Sequence, residues 1–177
     1  QNITGLWILQ RLMAEWKASG EEQDYDIILP QAEKVTFPSI IRVDDPLFQN
    51  PDNMEEAIKS YCHNHHLDMP QSKAEMVRCV VQSLAFKYKE AVEKMNQCLP
   101  SPITRLNIIG GGSQNKLLNQ LTADYLNIPV YAGPVEATAI GNILVQALAK
   151  GEVSDLKELR EIVLQSVTPT VYYPNKN

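Results

Sequence analysis

The chain has 177 residues, 44% hydrophobic and 21% charged, enough apolar material to bury a core and too much for a disordered tail. Lys and Arg number 16 against 21 Asp and Glu, a net charge of −5, which speaks against a nucleic-acid module. No apolar run is long enough to span a bilayer, and at roughly 150 residues per domain the length fits one domain and a little more. The start at Gln1 rather than Met suggests a processed form or a proteolytic piece. Cys62, Cys79 and Cys98 are an odd number, which argues for a cytoplasmic protein with free thiols, with a Cys62–Cys79 bridge left open.

The first predicted element is a helix over residues 4–17, with Leu6, Leu9, Met13 and Trp16 at three- and four-residue spacing and a stop before Ser19-Gly20. Residues 21–24 read as an acidic linker. Residues 26–51 hold four prolines and little period, so irregular loops are expected, with one short extended piece around Val35-Thr36-Phe37. A second helix is predicted over 52–66, where Asp52 and Glu55 have capping-box-like spacing. A third and longer helix starts at Ser72, with Glu75 three residues on. Its stripe of Met76, Val77, Val80, Val81, Leu84, Tyr88, Ala91 and Met95 marks a main core element, closed by Pro100 and Pro102.

The last third changes character. Short strands are predicted near 105–109 and 129–132. Between them lie a tight turn at Gly110-Gly111-Gly112 and a helix capped by Ser113 that carries Leu117, Leu118, Leu121 and Tyr125. Gly133-Pro134 turns into a helix over 135–150, and Ser154 caps a final helix ending near 165. This order is half of an α/β domain.

The stretch most able to carry chemistry is strand, Gly110-Gly111-Gly112-Ser113-Gln114-Asn115, helix. Glycines let a ligand approach the backbone closely, and the helix start that follows offers N–H groups to an anion or a polar heterocycle. A Walker loop is excluded because Lys116 lacks the Lys-Ser/Thr context after a second glycine, and a dinucleotide fingerprint because Asn115 stands where a third glycine is needed. Pattern alone leaves open a glycine turn that merely permits tight strand–helix packing. Gln10 falls on the apolar stripe of the first helix, where a glutamine needs a partner or a ligand. Asn2 by itself reads as a frayed helix cap, and Glu136 as a carboxylate favoured by a helix dipole. Cys62, His65 and His66 share a helical face, but no second ligand pair has matching spacing, so no metal site is expected. Asp44-Asp45-Pro46 reads as a turn, and Trp7 and Trp16 as core or groove anchors.

Residues 108–124, IIGGGSQNKLLNQLTAD, resemble the adenosine motif of the FGGY carbohydrate kinases, members of the sugar kinase/actin/Hsp70 superfamily. Four further segments resemble the branch of that family acting on L-rhamnulose. They are 128–142 (IPVYAGPVEATAIGN), 2–11 (NITGLWILQR), 44–54 (DDPLFQNPDNM) and 77–88 (VRCVVQSLAFKY), and together the motifs cover the chain nearly end to end. The resemblance implies a helix-rich α/β fold, part of an RNase H-like, actin-like ATPase C-terminal domain. Residues 1–177 would be the nucleotide-side domain of a two-domain kinase, lacking its first strands. It also implies ATP with Mg²⁺, a ketose substrate and a cytoplasmic enzyme that transfers the γ-phosphate of ATP to O1 of L-rhamnulose. On individual residues, it implies that Gly111 lies against the nucleotide and that Gly110, Gly112 and Asn115 line the adenosine pocket. Gln10 would contact the nucleotide and Asn2 would hydrogen-bond the sugar. Gln82 departs from the glutamate common at its helix position in the broader family.

In the family, the aspartate base and the first phosphate loop lie in the N-terminal domain, and the second phosphate loop lies just upstream of the segment matching Asn2. No catalytic residue is therefore expected in this chain, which alone would be inactive. Missing strands would leave an unpaired sheet edge, inviting an oligomer or a partner surface, in the first place the missing N-terminal domain. Two other readings remain at this point: a kinase for another ketose such as fuculose or xylulose, and a non-catalytic interaction module derived from a kinase.

Overall fold

Helix α1 (Gly5–Ala18) forms because Ile8, Leu9, Leu12, Met13 and Trp16 return to one side every three or four residues, and all five are buried. The structure is a computed structural model and describes residues 5–175, which divide into two compact units, one ending at Pro102 and one beginning at Ile103.

In the first unit the region expected to be irregular opens with a helix, α2 (Tyr25–Lys34). Asp24, assigned above to a linker, is its cap and accepts the Asp26 N–H at 2.8 Å. Pro30 lies inside the helix and removes one backbone hydrogen bond. Burying Ile28 and Ala32, four residues apart, outweighs that loss and packs α2 on the long helix described next. Helix α3 (Met54–Asn64) is capped by Asn53, which accepts the Glu56 N–H, one residue later than the expected Asp52. This register faces Met54, Ile58, Tyr61 and Cys62 to the core and frees Glu55 to accept from Trp16 Nε1 at 2.9 Å.

Helix α4 (Lys73–Asn96) starts with the expected capping box between Ser72 and Glu75. The predicted stripe is buried from Met76 to Leu84. Beyond it the buried face shifts to Ala85, Lys87 and Val92, and Met95 is exposed. Gln82 and Ser83 are buried too, because α4 serves a backbone that has no sheet to join. Residues 35–43 run extended, with Phe37, Ser39, Ile41 and Val43 buried alternately, a period of two. Its partners come from helices: Gln82 Nε2 donates to the carbonyls of Phe37 and Ser39, each at 2.8 Å, and the Ile41 N–H donates to Ser83 Oγ at 2.9 Å. The Arg42 N–H donates to the Tyr61 hydroxyl. The Asp44-Asp45-Pro46 turn leads into a 3₁₀ turn, Pro46–Phe48, with Asp45 as its cap. Cys62 and Cys79 are buried free thiols; their mutual hydrogen bond and burial push Cys79 up.

The second unit is built on a three-stranded sheet. Strands β1 (Leu106–Ile108) and β2 (Val130–Ala132) pair in parallel, Leu106 opposite Val130, with helix α5 (Lys116–Leu126) as the crossover between them. A third strand not foreseen above, β3 (Thr170–Tyr172), pairs antiparallel with β2 on its other side, so β2 is central. Its run of β-branched and aromatic residues, Thr170-Val171-Tyr172-Tyr173 between Pro169 and Pro174, was the available signal. Two further helices, α6 (Ala137–Ala149) and α7 (Leu156–Ser166), contain no buried residue. The cap of α7 is Asp155, not Ser154, because the Asp155 carboxylate accepts two N–H groups, those of Lys157 and Glu158. No helix among the described residues is long and apolar enough to cross a membrane.

Candidate functional site

The glycine turn leaves β1 through Ile109, an exposed apolar residue. Gly110 has φ +72°, a left-handed conformation that favours glycine, and its N–H donates to the Pro134 carbonyl at 3.0 Å. Residues Gly110–Gln114 form a 3₁₀ turn, so Ser113 does not cap α5. Instead its hydroxyl donates back to the Gly110 carbonyl at 2.6 Å, and Asn115 is the cap, accepting the Leu118 N–H at 3.0 Å. The turn's carbonyls are drawn into the protein: Gly110 to Ser113 Oγ, Gly112 to the Asn115 N–H, and Ser113 to Asn119 Nδ2 at 2.8 Å. As an opening residue of the 3₁₀ turn, Gly111 carries an N–H group that the turn itself does not satisfy. A Cβ placed on Gly111 would meet nothing within 4 Å. The turn therefore has an open glycine face rather than a tight packing contact, and the arrangement suits a flat polar ligand lying on bare backbone.

Asn115 is 8% exposed, and its side-chain oxygen is committed to capping. Asn119 was not singled out from the sequence; the signal was an amide among Leu117, Leu118, Leu121 and Thr122, all buried. Gln10 is exposed, not on the buried stripe, because Leu9 and Met13 take the inward positions around it. It lines an open groove of about 660 Å³ with Met13, Ala14, Lys17, Tyr25 and Ile27. Lys17 and Glu22 pair at 2.7 Å beside it, which raises the lysine pKa. Gln10 belongs to the first unit, and the glycine turn with Asn115 to the second. Asn2 lies outside the described residues.

The other candidates resolve individually. Glu136 is the N-cap residue of α6 and makes no side-chain capping bond. Trp16 is buried and Trp7 exposed. Asp44 pairs with Lys87 at 2.8 Å, and that hydrogen bond holds its carboxyl below the ordinary range. Cys62 is buried, His65 stacks on Tyr61 and His66 has φ 56° beyond the helix end. Among the described residues no group of three or more His, Cys, Asp or Glu could hold a metal ion. Both amide hydrogens of Gln82 are spent on carbonyls, a task a carboxylate at this position could not perform.

The model of the C-terminal domain of the FGGY family of carbohydrate kinases matches residues 1–150. The chain belongs to that family. Among its relatives are the rhamnulokinases of Bacteroides thetaiotaomicron, 40% identical, Pectobacterium atrosepticum, 42%, and Bacillus subtilis, 37%. Each alignment covers 98% of this chain and 35%, 34% and 36% of the respective relative. The chain thus spans about a third of the length of the curated relatives it matches. Two solved structures share its fold. A xylulose kinase from Rhodospirillum rubrum has a TM-score of 0.57 at 15% identity, over 97% of this chain and 33% of that one. A xyloylose kinase from Brucella ovis has 0.59 at 18%, over 94% and 34%. The helix-rich α/β architecture of the FGGY kinases, with its short strands near 105–109 and 129–132, is borne out.

Proposed function

We propose that this chain is the nucleotide-side, C-terminal part of an ATP-dependent carbohydrate kinase that phosphorylates O1 of L-rhamnulose. The observation that carries the nucleotide half is the open face of Gly111 between β1 and α5, with the neighbouring carbonyls turned inward. The adenosine of ATP would lie on Gly110, Gly111 and Gly112 beside Asn115. Gln10 would contact the nucleotide, and Asn2 the sugar. The rhamnulokinase relatives, aligned over nearly the whole chain, support L-rhamnulose over fuculose, xylulose or a non-catalytic module.

Phosphoryl transfer needs a base for the sugar hydroxyl and groups that neutralise charge on the phosphates. In this reading both are supplied by residues outside the chain, and the enzyme is cytoplasmic. The described residues hold no group of three or more His, Cys, Asp or Glu that could take Mg²⁺. The exposed Ile143 and Val145 of α6 and Leu164 of α7 support a domain completed by further strands.

Titration of ADP into the chain by calorimetry tests the nucleotide site. Saturable binding is expected for the wild type, with loss of at least tenfold in affinity for Gly111→Val, whose side chain has room to fold but occupies the ligand's place. A wild type with no saturable heat overturns the reading. For the substrate, the chain joined to the rest of its kinase should show a kcat/KM for L-rhamnulose at least tenfold above L-fuculose and D-xylulose. Equal values remove that assignment.

A further inference from the structure

Asn119 is fully buried in α5, yet it is the side chain that fixes the glycine turn from behind. Its Nδ2 donates to the Ser113 carbonyl at 2.8 Å, six residues upstream, while its own N–H donates to the Asn115 carbonyl within the helix. It thus spans from the first turn of α5 to the end of the 3₁₀ turn. Without it the Ser113 carbonyl loses this partner, and the Ser113–Gln114 peptide at the end of the glycine turn loses its tether to α5. Its Oδ1 has no hydrogen-bond partner among the described residues. An unpaired buried acceptor is destabilising, so an apolar residue would serve packing better at this position. The amide makes physical sense as a device for loop geometry.

We propose that Asn119 is a positioning residue for the nucleotide site: it never reaches the ligand but holds Gly110–Gly112 in the conformation that exposes the Gly111 face. The proposal rests on the glycine turn being the nucleotide site. Thr122 is the matched control, because it is equally buried on the same helix and its hydroxyl donates to the Leu118 carbonyl without touching the turn.

The test is ADP titration by calorimetry, with thermal unfolding of each protein, on the wild-type chain, Asn119→Leu, Asn119→Ser and Thr122→Val. Expected are a melting temperature for Asn119→Leu at or above that of Thr122→Val, and ADP affinity about tenfold below wild type, or about 1.4 kcal/mol. Thr122→Val should keep wild-type affinity. Asn119→Ser, too short to reach Ser113 but undemanding in volume, should show the same loss if the leucine variant fails to fold. Unchanged affinity in a folded Asn119 variant overturns the proposal while leaving the nucleotide site standing. Equal losses in Thr122→Val, or failure of both Asn119 variants to fold while Thr122→Val folds, make Asn119 merely structural and also overturn it. A wild type that binds no ADP removes the nucleotide site and this proposal with it.

Discussion

The unit ending at Pro102 and the unit beginning at Ile103 satisfy their buried backbone by different means. The first contains no strand pairing among its described residues, yet its extended segment 35–43 is anchored by side chains of α4 and α3. Its helices bury apolar faces: Ile8, Leu9, Leu12, Met13 and Trp16 of α1, Met54, Ile58 and Tyr61 of α3, and Met76 to Leu84 of α4. The second unit satisfies its strands by pairing in a sheet, but leaves α6 and α7 without one buried residue and a glycine face without a neighbour. Polar satisfaction inside a closed core makes a rigid support. An open backbone turn and bare apolar helices make surfaces that something else must meet. The difference is between a unit held by side-chain hydrogen bonds to its extended segment and a unit held by strand pairing that leaves backbone and helix faces exposed.

The comparison breaks most visibly at Gln82. Its Nε2 holds two buried carbonyls, so Gln82→Glu removes both donors and sets a carboxylate against two carbonyl oxygens. A loss of roughly 2–3 kcal/mol at neutral pH is expected from two orphaned acceptors. Urea denaturation measures it, and an unchanged midpoint would mean that segment 35–43 does not depend on α4.

A smaller effect tests the ion pair at the edge of the same segment. Lys87, buried on α4, donates to Asp44 at 2.8 Å and lies 3.3 Å from Glu90. The bond lowers the Asp44 pKa and raises that of Lys87. The folded carboxylate is thus favoured over the unfolded one, and its contribution is present above the ordinary carboxylate value near pH 4. It is lost as pH falls through the lowered folded value. With Asp44 partly exposed, Asp44→Asn should cost about 1 kcal/mol at pH 7, a cost that disappears once the pH has fallen below the lowered folded value. A difference that grows on acidification would contradict the pair's role.

Much of this was legible in the sequence, for identifiable reasons. Regular apolar spacing placed α1 and α4, the capping-box-like spacing of Asp52 and Glu55 placed α3, and Ser72 with Glu75 marked the start of α4. The order strand, glycines, helix, strand located the candidate site to within a residue or two. Helix α2 was hidden because Pro30 reads as a breaker, while the burial of Ile28 and Ala32 is tertiary. Caps slipped by one or two residues, Asp52 to Asn53 and Ser113 to Asn115, where two neighbouring polar residues were both competent to cap. Strand β3 was missed because three residues pair only through distant β2. Gln10 was placed on the wrong side because its spacing matched the stripe, whereas helical rotation put Leu9 and Met13 inward.

The smallest expected effect discriminates best between the two units. Ile143 is 66% exposed on α6, and isoleucine and serine have similar helix propensities. Ile143→Ser should therefore change the stability of this chain by less than about 0.5 kcal/mol. Leu118→Ala, at a fully buried position of the same unit, should cost about 2–5 kcal/mol. If α6 is covered in the complete kinase, the same Ile143→Ser substitution there should cost at least 1.5 kcal/mol, approaching the full value of a buried isoleucine. Chemical denaturation of both proteins gives the two numbers. A penalty equally small in both would mean that α6 is a solvent-facing helix in the enzyme as well. The apolar surface of the second unit would then give no support to a domain completed by further strands, and its exposed side chains would have to be accounted for within the unit itself.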